Sequence, residues 1–542
     1  MHPGFNVSRI SVLPIPLRRV AKLAVDASKP VEIVSDALLK LRAQLREYPN
    51  QGQALSQGLL PIIYANLDPA RLLDPDRVGE PIFLHRALCA TRAMTMLRMG
   101  HLPTAVAREL WPRLWAWIQF FDNHDYFPDD APFTADRRLL FSCFLPFLYD
   151  TEGNAAQLVY TTPDVCVFVS HAWACLVARC ERDHDAVQDP ESQGAMLALV
   201  QMFRVCHRFP QHFDELVEGV GNSEDLARLA VRYTAVAARN FDIVEHTRRD
   251  RLDPTLYSGM ISLNWGGSSF LECLGSAGMA GVLTETLIKL AGAGFTMAAT
   301  GRCLLPLVDI VDQLGAPSLV KALKAGLLRA IISRYASESD SDDERVSRAL
   351  KHLIRDILVD ATFKYSFMIA LKSVLPDALA IERTGGFMHS PRWEDWKLFT
   401  VIAAERLQYA EEFRAGYVST RECSNFECDV IVAEKTMLQR CAGCRAHYYC
   451  SSQCQALSWR KQEHRNRCAD IQQEPVGCNT DERNNRFHRF VLLRSYQTRN
   501  RRSSCRSWHT SIAPGTPISA SSQSMSVANL HHESRRSRSG HT

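Results

Sequence analysis

The amino-acid sequence predicts a mainly α-helical protein built from three parts. Apolar residues recur at helical spacing through residues 1–420, where strand-like alternation bounded by hairpin turns is scarce. Seven of the 17 cysteines fall between Cys423 and Cys468. We therefore expect a large all-helical body over residues 1–420, a small cysteine-rich module over residues 421–468, and a disordered basic tail over residues 469–542.

Three stretches of the body show the helical pattern most clearly. Each of them places apolar side chains on one stripe and polar or basic side chains on the other faces. The stripes are Val34, Leu38, Leu41 and Leu45; Leu319, Leu323, Leu327 and Ile331; and Val346, Leu350, Leu353, Ile357 and Leu358. Because no fixed sequence period accompanies them, both an armadillo-like stack and an irregular helical array stay open.

A glycine-rich stretch over residues 264–281 has a different character. It reads "NWGGSSFLECLGSAGMAG", follows no predicted strand and lacks the spacing of a dinucleotide-binding loop. We therefore expect it to be a region where helices pack closely together.

Charge is spread unevenly along the chain. The formal net charge is only +4, yet residues 471–542 contain eleven arginines, no lysine and four acidic residues. The tail therefore carries roughly +7 and leaves about −3 for the rest of the chain. Such a tail binds phosphates without reading a base sequence, so non-specific nucleic-acid binding is one alternative function. The slightly negative net charge of the first 470 residues does not support that function.

The sequence also bears on compartment. No hydrophobic signal-peptide core opens the chain, and the longest uncharged apolar run, residues 165–178, is shorter than the ~20 residues that a membrane span needs. The eight cysteines from Cys89 to Cys303 are scattered among apolar residues, as expected of reduced, buried side chains. We expect an intracellular protein without membrane contact, in the nucleus or the cytoplasm.

The cysteine-rich module holds four pairs of metal-ligand candidates. Pairs spaced two to four residues apart let one turn present both side chains to a single metal ion. In chain order the pairs are Cys423 and Cys428, Cys441 and Cys444, Cys450 and Cys454, and His464 and Cys468. Structural zinc takes four sulfur or imidazole ligands in a tetrahedron, so eight candidates predict two zinc ions.

The later part of this module resembles a MYND-type zinc finger. The matching segment is "CAGCRAHYYCSSQCQALSWRKQEHRNRC", in which Tyr449 supplies the aromatic residue before the fifth cysteine. A RING finger would place a histidine within its central pairs and close with C-x-x-C, whereas this module closes with H-x-x-x-C. The resemblance implies interleaved ligation, with the first and third pairs on one zinc and the second and fourth pairs on the other.

Two details depart from the family pattern or add to it. Four residues, "SNFE", separate Cys423 from Cys428 where two are usual, which predicts a looser first knuckle. His447 and Cys478 are spare ligand candidates, and we expect His447 to face solvent or to pack beside Tyr448.

The resemblance also implies a function in protein interaction. MYND fingers take short proline- and leucine-containing peptides in a shallow groove, and Gln455 and Trp459 match groove residues of the family. An equally simple interpretation is that the Trp459 indole covers the small core of the finger. Ser458 stands where the family usually has an acidic residue.

An enzyme is the main alternative, because some MYND fingers lie within SET-domain lysine methyltransferases. There, catalytic lobes flank the finger; here only 74 residues follow Cys468, and they carry none of the expected motifs. P-loop, G-x-S-x-G and H-E-x-x-H motifs are also missing from the sequence. The sequence thus predicts a non-enzymatic zinc protein that acts as an interaction, scaffold or adaptor module, with transcriptional or other regulation as its setting.

Overall fold

The structure is a computed structural model of the 542-residue chain. It describes residues 1–26, 28–45, 52–72, 81–97, 102–127, 136–148, 154–206, 211–239, 267–292, 297–335, 344–384, 386–416, 421–425, 427–428, 430–432, 438–444, 447–461, 464–473 and 482–510.

The described chain is mainly helical, as the sequence predicts. Its α-helices are α1 Ile15–Val25, α2 Val31–Leu45, α3 Gly52–Asn66, α4 Pro81–Met94, α5 Thr104–Asn123, α6 Arg137–Ser142, α7 Leu145–Leu148, α8 Asn154–Tyr160, α9 Val165–Arg182, α10 Pro190–Cys206, α11 Gln211–Val220, α12 Ser223–Arg239, α13 Gly267–Ala277, α14 Met279–Gly292, α15 Met297–Leu314, α16 Ala316–Lys324, α17 Leu327–Tyr335, α18 Glu344–His352, α19 Leu358–Ala361, α20 Tyr365–Thr384, α21 Trp393–Gly416, α22 Ser452–Lys461, α23 His464–Gln473 and α24 Glu482–Thr510. Short 3-10 helices span Pro3–Phe5, Val7–Val12, Pro69–Leu72, His184–Gln188 and Gly386–His389, and a π-helical turn spans Leu353–Ile357. The strands are β1 Arg421–Glu422, β2 Ile431–Val432, β3 Gln439–Arg440 and β4 Tyr448–Tyr449.

The predicted apolar stripes form part of the body's core. Val34, Leu38 and Leu41 are buried on α2, and every member of the third stripe is buried along α18, the π-helical turn and α19. The second stripe is buried as well, but it belongs to two helices. Gly326 lies between α16 and α17 and separates the two helices. Its φ is 98°, a conformation that residues with a side chain rarely adopt.

Glycines let helices of the body approach closely. A Cβ added to Gly275 on α13 would lie 2.1 Å from Leu314 Cδ1, and one added to Gly219 on α11 would lie 1.9 Å from Ser170 Oγ on α9. The first contact confirms close packing of the glycine-rich stretch at Gly275; residues 264–266 of that stretch lie outside the described residues. The second sets the distance between α9 and α11, because no larger residue fits at position 219.

A charged cluster joins α5, α6 and α9. The carboxylate of Asp122 accepts hydrogen bonds from Arg137 Nε at 2.5 Å and from the His171 ring at 2.8 Å, and its side chain is only 8% exposed. Burial by itself raises the pKa of Asp122, but the bonds from His171 and Arg137 bring that pKa below its ordinary value. Arg137 also contacts Asp125 at 2.9 Å, and the Asp125 side chain is 75% exposed.

The region after residue 468 differs in part from its predicted disorder, because residues 482–510 form α24. The first turns of α24 pack on the body: the Phe487 ring lies between Tyr365 and Phe413, and Asn484 Oδ1 accepts from the Ser366 backbone N–H at 3.0 Å. Phe487 belongs to "FHRFVLL", the apolar run in this arginine-rich segment. Burial of its ring offsets the conformational entropy that the chain loses when this segment becomes ordered. Residues 511–542 lie outside the described part.

The chain divides into two compact units, Met1–Phe487 and His488–Thr542. In the second unit, Phe490 and Val491 are buried, whereas Leu492, Leu493 and Tyr496 are exposed.

The cysteines of the body are free thiols where the structure describes them. Cys89, Cys143, Cys166, Cys180 and Cys303 are buried, and burial raises the pKa of Cys89 and Cys180 to about 11 and that of Cys303 to about 12. These side chains behave as small apolar residues, as their sequence surroundings predict. Among the described helices, none is both long and apolar enough to span a bilayer.

Candidate metal centre

The first centre combines a hairpin with the start of a helix. β1 pairs antiparallel with β2, so Cys423, which follows β1, and Cys428, in the connection, face the same point. Cys450 follows β4, and Cys454 lies in the first turn of α22. The four Sγ atoms lie within 4.8 Å of one another. Cys450 Sγ is 3.6 Å from that of Cys428 and 3.5 Å from that of Cys454.

The second centre uses the other hairpin and the last helix of the module. β3 pairs antiparallel with β4 and places Cys441 and Cys444 in the connection, while α23 begins at His464 and carries Cys468 one turn later. His464 Nε2 lies 3.4 Å from Cys441 Sγ and 3.9 Å from Cys444 Sγ. The Sγ atoms of Cys441 and Cys468 are 3.8 Å apart.

These separations fit two zinc ions. Zinc–sulfur bonds of about 2.3 Å and zinc–nitrogen bonds of about 2.0 Å give tetrahedra whose edges are roughly 3.8 Å between sulfurs and roughly 3.5 Å between sulfur and nitrogen. The five distances given above lie close to these edges. The first and third pairs share one centre and the second and fourth pairs share the other. The interleaved arrangement implied by the sequence is therefore confirmed.

The long first knuckle is organised by Asn425, a residue that the sequence analysis did not single out. Asn425 is 3% exposed. Its carbonyl oxygen accepts the Cys428 backbone N–H at 2.9 Å, its Oδ1 accepts the Glu427 N–H at 3.2 Å, and its Nδ2 donates to Cys454 Sγ at 3.5 Å. The extra residues thus close a turn around one amide side chain, which supports two of the four ligands. Asparagine often makes turns of this kind, and that was the available sequence signal.

Hydrogen bonds lower the pKa of one thiol in each centre, whereas the Cys454 side chain raises the pKa of Cys450 to about 12 and burial raises that of Cys468 to about 11. The Asn425 amide, with the Ser451 hydroxyl, lowers the pKa of the Cys454 thiol to about 6. Burial acts to raise the pKa of Cys441, but the His464 ring and the backbone N–H groups of Cys444 and Gly443 lower it to about 6. Zinc binds thiolates, so donors that favour the charged form favour ligation.

The core of the module consists almost entirely of its ligands. Cys423, Cys441 and Cys468 pack around Tyr449, which is fully buried, and the Tyr449 hydroxyl donates to the buried Ser458 Oγ at 3.3 Å. A Cβ at Gly443 would lie 2.9 Å from Cys468 Sγ, so only glycine fits there without a shift. With so little other apolar surface, the module depends on metal for its fold.

Residues 422–468 match the family model described as the MYND finger. The chain therefore contains a MYND-type zinc finger over these residues. Its MYND finger is a zinc-binding module for protein interaction, and the eight predicted ligands form its two centres. No curated protein and no solved structure gives a significant match to the chain.

The two residues predicted to line a peptide groove lie one turn apart on α22. Trp459 is 38% exposed, and its ring meets the ring of the zinc ligand His464 edge to face, with centroids 5.4 Å apart. Gln455 is half-buried. Both sequence interpretations of Trp459 are thus represented, because one part of the indole packs on the finger and another part faces outward. Ser458 points inward, as its bond to Tyr449 requires.

The spare candidates are also placed in part. His447 is half-buried; its ring lies 4.3 Å from that of His464, and its Nδ1 is 3.6 Å from Cys444 Sγ. It therefore packs against the ligands of the second centre, and the expected solvent exposure is only partial. Cys478 lies outside the described residues.

Proposed function

We propose that the MYND finger binds a short proline- and leucine-containing peptide through Trp459 and Gln455, and that the protein acts inside the cell as an adaptor without catalytic activity. The observation that carries the proposal is Trp459, a large aromatic side chain that is 38% exposed although it touches a zinc ligand. An indole held on one side and open on the other is a rigid surface for proline rings and leucine side chains.

The position of the pair supports a defined binding surface. Gln455 and Trp459 are four residues apart on α22, so their side chains lie on the same face. The helix is fixed at its first turn by Cys454, a ligand of the first centre, and Trp459 contacts a ligand of the second centre. Both zinc ions therefore limit the movement of this face, which reduces the entropy lost on binding.

Charge around this face favours peptides with acidic or neutral flanks. Arg460 and Lys461 end α22 and are exposed, and Lys461 Nζ reaches Glu427 Oε2 at a loose 3.8 Å. Two exposed cations beside an aromatic side chain attract carboxylates but add little affinity in water. We expect them to influence the rate of association more than its strength.

The adaptor part of the proposal rests on the chain's motifs. The sequence lacks the segments that flank the finger in SET-domain methyltransferases. In the described residues that follow α23, the structure shows only helix α24. We infer that the helical body positions the finger or binds a further partner, and that regulation is exerted through assembly.

The test measures peptide affinity with Trp459→Ala in the full-length protein. Immobilised proline- and leucine-containing peptides, with versions in which proline is replaced by alanine, serve as probes. We expect Trp459→Ala to weaken binding by at least tenfold, the size of a hot-spot aromatic, with zinc content unchanged. Tyr496→Ala, which removes an exposed aromatic residue outside the finger, is the matched control and should leave binding intact.

Two other results would redirect the proposal. If Trp459→Ala loses zinc together with binding, the indole is a core residue of the finger. If a zinc-loaded Trp459→Ala protein binds the peptides normally while removal of residues 479–542 abolishes binding, the arginine-rich tail is the binding element. Methyl transfer from a methyl donor to a lysine peptide would contradict the adaptor assignment.

A further inference from the structure

A second group of metal-ligand side chains lies in the helical body, remote in sequence from the finger. Cys166 belongs to the first turn of α9, and His212 and Glu215 lie three residues apart on α11. One donor atom from each of the three lies within 4.8 Å of the others. Cys166 and His212 are fully buried, and the Glu215 side chain is 18% exposed.

The local fold brings these donors together. Positions 212, 215 and 219 share one face of α11, and Gly219 on that face allows α11 to approach α9 closely. Glu215 Oε2 accepts the Cys166 backbone N–H at 3.0 Å, so its carboxylate is anchored at the N-terminus of α9. The Cys166 side chain projects from the same turn.

The imidazole of His212 lies beside the carboxylate of Glu215. The His212 side chain is 2% exposed, and its Nδ1 lies 3.9 Å from Glu215 Oε2. Imidazole is the commonest metal ligand among protein side chains.

The surroundings carry further negative charge, because the carboxylates of Asp164 and Glu218 lie near Glu215. A divalent cation would offset the charges of the Cys166 thiolate and the Glu215 carboxylate, since these two negative charges together equal its own. A nucleophilic role for Cys166 is a weaker fit, since its side chain is 0% exposed and offers a substrate no access.

We propose that Cys166, His212 and Glu215 form a third metal site, in the helical body, that binds a zinc ion independently of the MYND finger. Thiolate, imidazole and carboxylate are the ligand types that zinc takes, and three protein ligands leave a fourth position for water. The His212 Nδ1 to Glu215 Oε2 distance is 3.9 Å, whereas a zinc tetrahedron has an edge of about 3.4 Å between nitrogen and oxygen. The donors therefore need to move together by about half an ångström.

The experiment counts zinc in full-length protein whose finger cannot hold metal. The background variant is Cys428→Ala/Cys450→Ala/Cys441→Ala/Cys444→Ala, which removes two ligands from each finger centre and leaves each with fewer protein ligands than the proposed site. After loading with zinc under reducing conditions, native mass spectrometry should show one zinc ion per chain. Adding Cys166→Ser should reduce the count to zero, and Glu215→Gln, whose amide oxygen still accepts the Cys166 N–H, should do the same.

Cys180→Ala in the same background is the matched control. Cys180 is another buried cysteine of α9 that lies outside the cluster, so the count should stay at one. Helical circular dichroism of each variant verifies that the body remains folded. The proposal would be overturned if the finger-deficient chain bound no zinc. It would also be overturned if that chain kept its ion in both the Cys166→Ser and the Glu215→Gln variant. Glu215 would then be a helix cap and His212 a core histidine.

Discussion

The helical body and the MYND finger obtain their stability from different sources. The body buries many large apolar side chains, among them Trp117, Phe121 and Phe367. The finger has a core of three cysteines and one tyrosine, and the cysteines are also zinc ligands. Burial of apolar area stabilises the body in any solvent that keeps the hydrophobic effect, whereas the finger is stable only while its ligands hold metal. We therefore expect that one chain combines a metal-independent fold with a metal-dependent one.

The largest effect is expected from removing one finger ligand. Cys444→Ala should abolish the second centre and unfold the finger, because a structural zinc site contributes on the order of 10 kcal/mol in a small module. The helical circular dichroism of the body should stay. Metal analysis and the spectrum of the full chain check this expectation, and a loss of most helical signal would show that the two regions fold as one.

Replacing a buried charged residue of the body should destabilise the body and leave the zinc content of the finger unchanged. Asp122→Asn should lower the free energy of unfolding of the body by about 1.5–3 kcal/mol at pH 7, since it removes the buried carboxylate that Arg137 and His171 share, while Arg137 keeps its contact with Asp125. Asp125→Asn, which removes an exposed partner of the same Arg137, should cost under about 1 kcal/mol. Zinc content should not change in either variant.

The effect of Asp122→Asn should also depend on pH. The pKa of Asp122 is below its ordinary value of 3.8 in the folded protein. Its carboxylate therefore adds stability that is complete above that value and is lost as the pH falls through the lowered pKa. Denaturation at several pH values should show the difference between wild type and variant shrinking below about pH 4. A difference that grows on acidification would contradict the assigned direction.

Within the finger, Asn425 distinguishes the two centres. Asn425→Ala removes the amide that donates to Cys454 Sγ and accepts the Glu427 N–H, so the zinc affinity of the first centre should fall by about 10–100-fold. The second centre should be unaffected. Competition with a chelator checks this, since one ion should leave the variant early and one should leave as in wild type. Ser452→Ala, an exposed change on α22 two residues before Cys454, is the control.

The smallest expected effect concerns the hydrogen bond in the finger core. Ser458→Ala leaves the buried Tyr449 hydroxyl without its partner and should cost about 1 kcal/mol of finger stability. The double variant Tyr449→Phe/Ser458→Ala removes both polar groups and should recover part of that loss. Thermal melting of zinc-loaded wild type, Tyr449→Phe, Ser458→Ala and the double variant completes the cycle. If the losses of the two single variants add up to the loss of the double variant, the two residues do not interact.

Much of the architecture follows from the sequence because its signals are local. Helical stripes at 3.6-residue spacing identified the body, and ligand pairs one turn apart identified the eight zinc ligands. The interleaved ligation came from resemblance to the MYND family, since spacing alone fits a sequential arrangement equally well. Order in α24 was missed because a charged composition outweighed one short apolar run.

Other features depend on distant contacts that no local pattern reveals. Gly326 divides a continuous apolar stripe into two helices, and only its positive φ shows the break. Asn425 matters because it reaches Cys454, which is far along the chain. Cys166 and His212 lie 46 positions apart by number, and the close packing at Gly219 is what brings α9 and α11 together.

The most direct test of the two-region account is hydrogen exchange of the full-length protein with and without a zinc chelator. Mass spectrometry of peptic fragments would follow α5 and α20 in the body and α22 and α23 in the finger. The account predicts that chelation removes protection from α22 and α23 while α5 and α20 keep theirs. Protection of the finger without zinc, or loss of protection in α5 and α20 on chelation, would contradict it.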